Sequence, residues 1–331
     1  MRDYLDMGHM RKVTDRQLQE EDSGMEGLYQ YKVFYLPHHA RPVIQDHLLN
    51  LLIRFRKYEV ALVGDVEKMY RQVLHDVKDT LRLRILFRFS KEDPFGVYEL
   101  LTVTYGLKPS SFLATRALQQ LAVDEGVEGS PASVAVDKDF YVDDYIGGAA
   151  SIIEATNLRE DLTSLMVKGG FPIRKWCSNH PEVLAGVPED QLGTSLTITF
   201  DLSPDEKVKT LGITWAPKVD QLRFIFNIEN EEGEWTRRRI LSAIARLFDP
   251  LGLISPVVVT AKIIMQQLAL LHSVWDAPVP TQLEHKWVDF HRRLSKLTEF
   301  SIPRFAFVED YVDVQLHCFA DASDLAYGAC L

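Results

Sequence analysis

Cysteine is scarce in this chain: Cys177, Cys318 and Cys330 are the full complement in 331 residues, and their wide spacing fits no metal-ligand pattern. That argues against a disulfide-stapled scaffold or a thiolate zinc cluster and leaves reduced core or surface thiols. Long apolar runs are lacking too. The best of them, Leu251 to Leu271, is interrupted by Gly252, Pro256, Lys262, Gln266 and Gln267. It reads as a loop entering a packed helix rather than a membrane span. There is no basic excess either. Lys and Arg number 37 against 47 Asp and Glu, a formal charge of −10. A protein that grips phosphate needs cations, so any nucleic-acid contact must come from local clusters. The start is charged and polar, without a signal-peptide pattern. Nothing in the chain suggests a membrane, a small-molecule redox or a structural-repeat function.

The length allows about two domains, and 46% apolar residues are enough for a core. The most informative segment is Phe140-Tyr141-Val142-Asp143-Asp144-Tyr145-Ile146, which ends in Gly147-Gly148. Aromatic and β-branched runs predict strands, and Gly-Gly after them predicts a turn. Adjacent buried carboxylates repel each other, and a divalent cation relieves that repulsion. A second acid, Asp65, closes the apolar run Tyr58 to Gly64, which reads as a central strand. Carboxyl ends of strands are where open sheets build sites. Three carboxylates with few His or Cys nearby favour a hard, oxygen-loving metal such as magnesium. Two magnesium ions suit an in-line phosphoryl displacement.

Asp65-Val-Glu-Lys-Met-Tyr70 and Tyr141-Val-Asp-Asp144 resemble the first and third palm motifs of reverse transcriptases. Leu5-Asp-Met-Gly-His9-Met10 and Tyr35-Leu-Pro-His-His39 upstream, with Leu241-Ser-Ala-Ile and Phe248-Asp-Pro-Leu-Gly-Leu-Ile-Ser-Pro256 downstream, narrow the likeness. Together they resemble the Pol polyprotein of BEL/Pao long-terminal-repeat retrotransposons along nearly the whole chain. The resemblance implies an RNA-directed DNA polymerase that uses two magnesium ions, a primed RNA or DNA template and deoxynucleotide triphosphates. It also implies an intracellular setting, in a cytoplasmic particle or the nucleus, and the rest of the Pol polyprotein as a partner.

The same resemblance assigns roles. Asp65, Asp143 and Asp144 would bind the metals. Tyr70 would floor the sugar pocket and exclude a 2′-hydroxyl, the group that separates RNA from DNA building blocks. Tyr98 to Gly106 reads as a strand entering a glycine turn, followed by a helix with Ser110 and Ser111 as cap candidates. This resembles the second palm motif and would place Tyr105, Gly106 and Ser110 at the nucleotide, with Tyr141 beside them. The 152–167 stretch predicts a helix, Gly169-Gly170 its end, and Phe171 to Trp176 a strand whose Lys175 would approach the leaving phosphates. Leu211-Gly-Ile-Thr-Trp215 resembles the primer-gripping hairpin.

Helical spacing from Thr236 to Phe248 puts Ile240, Leu241, Ile244, Leu247 and Phe248 on one face, and helices are expected over 257–275 and 283–297. Trp275, Trp287 and Phe290 read as core. Arg54, Arg56, Lys57 and Arg237 to Arg239 read equally as phosphate contacts or as solvated helix faces. Val314 to Asp321 alternates as a half-buried strand, and Phe319-Ala-Asp-Ala-Ser323 resembles the opening hairpin of a ribonuclease H domain, with Asp321 as its first metal ligand. In the family a basic fingers region follows the Tyr-Leu-Pro-His-His segment. Here Pro37 to Ala40 passes almost directly into the Arg54 helix, and neither Lys32 nor Arg41 is an obvious substitute.

The expectation is therefore an α+β fold, a mostly antiparallel palm sheet packed by helices. It divides into a fingers remnant (1–50), a palm (51–180), a helical thumb and connection (181–300) and the start of a ribonuclease H-like hairpin (301–331). The competing expectation is a catalytically inactive relic that at most binds nucleic acid.

Overall fold

The structure is a computed structural model that describes residues 2–14, 43–199, 212–225, 233–245, 247, 249–271, 274–307 and 313–330. The expectations placed on Tyr35 to His39, Lys32, Arg41, Leu211 and Phe248 lie outside the described residues. What is described is α+β with antiparallel sheets.

The strands are β1 (Met10–Lys12), β2 (Val60–Val66), β3 (Arg84–Phe87), β4 (Gly96–Leu100), β5 (Phe140–Tyr141), β6 (Asp144–Ala149), β7 (Ile173–Ser178), β8 (Leu196–Thr199), β9 (Gly212–Ala216), β10 (Gln221–Ile225), β11 (Ser301–Pro303), β12 (Phe319–Ala322) and β13 (Tyr327–Cys330). One sheet has the order β5-β6-β2-β7. Between β2 and β5 come the helices Ser110–Glu125 and Pro131–Lys138, and between β6 and β7 the helix Ile152–Lys168. This is the β-α-β-β-α-β arrangement of split βαβ folds. β2 runs two residues further than the 58–64 expectation, so Asp65 sits inside the strand rather than past its end. Gly147-Gly148 also lies within a strand, β6, instead of forming a turn. The reason is steric: a Cβ on Gly148 would stand 2.3 Å from the Val60 carbonyl oxygen, so glycine marks a close backbone approach.

The chain divides into two compact units. The first comprises Met1–His47, Gly64–Ile146 and Thr156–Arg174. It holds the sheet β1-β4-β3, where Met10, Tyr98 and Leu100 are buried and Tyr4, Leu5, Ile85, Phe87 and Phe89 pack against them. One cross-strand row of this sheet is polar. Glu99 on β4 faces Arg11 on β1 and Arg84 on β3. The Ser110–Glu125 helix buries Ala114, Leu118 and Leu121, a stripe at helical spacing. Its cap position is taken by Pro109, whose side chain has no acceptor to offer, while the Ser110 hydroxyl donates to the Thr104 carbonyl at 2.5 Å.

The second unit comprises Leu48–Val63, Gly147–Ala155 and Lys175–Leu331. Its sheet runs β11-β10-β9-β8. Trp215, Leu222 and Phe224 are buried in it, and Phe55 of the Leu48–Phe55 helix meets Trp215 edge-on at 5.3 Å. Arg304 is fully buried here. Its five N–H groups donate to both oxygens of Asp220 (2.6 and 2.8 Å) and to the carbonyls of Phe55, Tyr58 and Glu59 (2.6, 2.6 and 3.0 Å). Every donor of the guanidinium is thus matched, the condition under which burying a charge is tolerable. Asp220, at φ 50, also accepts from the Trp215 indole at 2.8 Å.

The helices Arg237–Ala245, Ser255–Leu270 and Thr281–Leu294 share a core of Ile240, Ile244, Ala261, Ile264, Leu268, Val279 and Trp287. Leu241, expected on the same face as Ile240, is 40% exposed; one residue is a 100° rotation around a helix, and Ile240 and Ile244 hold the inner stripe. Trp275 is likewise not core: it is 40% exposed, with the Arg237 guanidinium 4.2 Å from its ring centre. Trp287 is fully buried, as expected. The 314–321 stretch forms a strand only from Phe319 onward, and it is not half-buried: Val314, Leu316 and Phe319 are 48%, 74% and 67% exposed. The alternation is real, but among the described residues β12 pairs only with β13 and no layer covers either face.

Candidate active site

The two acidic segments meet through the backbone. The Val66 amide donates to the Asp143 carbonyl at 2.8 Å, which sets the end of β2 against the β5-β6 turn. In that turn Tyr141 pairs with Asp144, leaving Val142 and Asp143 as the two loop residues. Val142 sits at φ 56, a left-handed conformation that is costly for a β-branched residue. Its amide donates to the Gln45 side chain at 3.3 Å, which helps hold it there. Asp65, Tyr141, Asp143 and Asp144 are all half-buried. Glu67, two residues past Asp65, is neutralised by Arg174 at 2.6 Å.

Two tyrosines stand beside Asp143. Tyr70 and Tyr105 pack edge to face with ring centres 4.6 Å apart. Burial raises the pKa of Tyr70; a hydrogen bond with Ser111 opposes this and the Asp143 charge adds to it. Tyr105 is raised by burial and then by Asp143, with Arg71 acting in the opposite direction. The two rings therefore lie within the field of the same carboxylate. Gly106, at φ 84, gives the turn after Tyr105 a conformation that suits glycine. Ser110 is 3% exposed and engaged by Thr104, so its hydroxyl shapes the turn. Lys175 belongs to the second unit, exposed on β7 at φ 55. Asp321 lies in the second unit as well, exposed on the β12-β13 ribbon.

Carboxylate oxygen is the donor that magnesium prefers, and Asp65 and Asp143 belong to adjoining backbone segments. As arranged here, however, the described residues contain no group of three or more His, Cys, Asp or Glu side chains able to hold a metal ion. The chemistry of the donors suits the metal, while the three carboxylates are not drawn into one ligand set.

Arg71 was not singled out by the sequence. It is 7% exposed and donates to the hydroxyls of Tyr4, Thr104 and Thr102 at 3.1, 3.3 and 3.4 Å, with its charge 4.4 Å from the Tyr4 ring centre and 5.7 Å from that of Tyr105. Its neighbour Tyr70 pointed to the spot, but no local pattern reveals that a residue's partners lie at positions 4, 102 and 104.

No described helix is long and apolar enough to cross a membrane. No curated protein matches the chain. A family model for the Pao retrotransposon-like RNaseH-like domain matches residues 236–331, less than a third of the chain. That span takes in the three-helix core as well as the β12-β13 ribbon. The match supports an origin in the Pol polyprotein of a BEL/Pao retrotransposon.

Proposed function

We propose that the chain is an RNA-directed DNA polymerase segment of such a Pol polyprotein. The observation that carries this reading is the Val66–Asp143 hydrogen bond, which sets Asp65 against the Tyr141-Val-Asp-Asp144 turn. Asp65, Asp143 and Asp144 are the residues that would hold magnesium. When bound, the metal supplies charge neutralisation at the attacking and leaving oxygens of a phosphoryl displacement. The Tyr70–Tyr105 pair forms an aromatic wall that accepts a deoxyribose and crowds a 2′-hydroxyl. The partners in this reading are a primed RNA or DNA template, deoxynucleotide triphosphates and the rest of the Pol polyprotein, inside the cell in a cytoplasmic particle or the nucleus.

Primer extension on an RNA template with magnesium tests the reading. The purified chain should extend the primer, and Asp143→Asn should lower the rate about a hundredfold or more. A folded protein that extends nothing would refute it. That result would favour the second reading, an inactive relic that at most binds nucleic acid, for which the dispersed carboxylates already speak.

A further inference from the structure

The turn that carries Asp143 is held in a conformation that its own residues do not favour. It is a two-residue hairpin loop, with Tyr141 paired to Asp144 and Val142 and Asp143 between them. Val142 takes φ 56, and Asp143 is not among the described residues at positive φ. A positive φ at the first loop residue alone is the pattern of a type II′ turn, whose first position is ordinarily glycine. Valine strains there, because its branched side chain crowds the backbone in the left-handed region. Such a residue keeps its conformation only where the surroundings impose it.

Two hydrogen bonds from distant parts of the chain supply that constraint. The Val142 amide donates to the Gln45 side-chain carbonyl at 3.3 Å, across 97 positions. The Asp143 carbonyl accepts from the Val66 amide at 2.8 Å. The peptide units on either side of the Val142–Asp143 pair are therefore both tied, and with them the direction in which the Asp143 side chain leaves the backbone. Gln45 is half-buried and is itself anchored: the carbonyl of its neighbour Ile44 accepts from Gln119 Nε2 of the Ser110–Glu125 helix at 3.2 Å. All these residues belong to the first compact unit. The residue type matters as well. An amide side chain offers an acceptor without charge, whereas a carboxylate here would add to the negative charge of Asp143 and Asp144.

We propose that Gln45 is a positioning residue of the acidic pair: its carbonyl holds the Val142 amide and so keeps the strained turn in the form that presents Asp143 and Asp144. The use of that form in nucleotide transfer rests on the polymerase reading, whereas the tie is read from the turn itself. Gln45 acts through the backbone. Released from it, Val142 relaxes towards negative φ and carries the Asp143 carboxylate with it.

Amide hydrogen exchange and primer extension, both on the full chain, test the proposal. Gln45→Met keeps the length of the side chain and loses the acceptor. It should speed exchange of the Val142 amide about tenfold, the worth of one hydrogen bond. The amide of Leu118, in the buried stripe of the neighbouring helix, should stay as slow as in the wild type. Extension should lose about tenfold in kcat rather than in KM for the deoxynucleotide. Gln45→Glu retains an acceptor and should keep the slow exchange at Val142. Glycine adopts φ 56 without strain, so in a Val142→Gly background Gln45→Met should change kcat less than about twofold. Unchanged Val142 exchange in Gln45→Met, or an equal loss of kcat in both backgrounds, would overturn the proposal. A wild-type chain that extends no primer would sink the polymerase reading instead. Faster Val142 exchange in Gln45→Met would then still establish the tie, and unchanged exchange would remove it.

Discussion

Glu99 shows how a single side chain can make stability depend on pH. Its carboxylate is 2% exposed and lies between Arg11 at 3.1 Å and Arg84 at 3.3 Å, and it also accepts from the Thr80 hydroxyl. Burial alone would raise its pKa. The Thr80 hydrogen bond and the two arginines outweigh that, and the carboxyl titrates below its ordinary 4.5. The sign follows: the stabilisation is fully present above the ordinary value and is lost as pH falls through the lower folded value. Melting temperatures measured between pH 7 and pH 3 should fall for the wild type, and the part of the fall due to Glu99 should vanish in Glu99→Gln. That variant should also lose about 2 kcal/mol at pH 7, because buried hydrogen bonds to a charged carboxylate are replaced by bonds to a neutral amide. A pH profile identical to the wild type would show that the row is not an ionic one. Arg304 makes a stronger case. Replacing it with Met abandons the carbonyls of residues 55, 58 and 59 and leaves the Asp220 charge with only the neutral Trp215 and Asn179 donors, so urea unfolding should reveal a loss of about 3–5 kcal/mol. A loss below about 1 kcal/mol would mean that water satisfies those groups as well as the guanidinium does.

Among the elements, the Asp249-Pro-Leu-Gly segment has a mechanical explanation. The Asp249 carboxylate accepts from the Leu253 and Ile254 amides at 2.9 and 2.7 Å, and Gly252 takes φ 72 between them. The segment is thus a tied turn that delivers the Ser255–Leu270 helix at a fixed angle to its neighbours. Burial raises the Asp249 pKa, and the amides of Ile254, Leu253 and Gly252 only partly offset it. Asp249→Ala should cost about 1–2 kcal/mol, the range for a lost cap, measured as a lowered melting temperature. Asn retains one acceptor and should recover roughly half of the loss. An Ala variant as stable as the parent would show that the helix needs no tie.

At this scale much was legible from the residues themselves. Periodicity placed the 152–168 helix and the helices after Trp235 to within a few residues, since each carries an apolar stripe that must be buried. Burial itself was less legible. Leu241 and Trp275 look apolar enough for the core, but their orientation depends on which neighbours reach the inner face first. Gly147-Gly148 suggests a turn to any local rule, and only the proximity of the Val60 carbonyl makes it a strand.

For the molecule as a whole, the acids of the candidate site were legible because each sits at the end of a recognisable apolar run. Arg71 was not, since its partners Tyr4, Thr102 and Thr104 are distant in the chain and meet it only in the fold.

The bonds of Arg304 also have a consequence in time. They join residues near 55 to one 249 positions later, while the intervening 64–146 segment is built into the other unit. During synthesis the Leu48–Phe55 helix emerges early and has to wait for almost the entire chain before its last polar partner arrives. Loop closure over that distance is slow, so the second unit should be the last part of the protein to acquire protection from hydrogen exchange. A nascent chain stalled before Arg304 should leave the carbonyls of Phe55, Tyr58 and Glu59 without their guanidinium partner and the Leu48–Phe55 helix less protected than in the full chain.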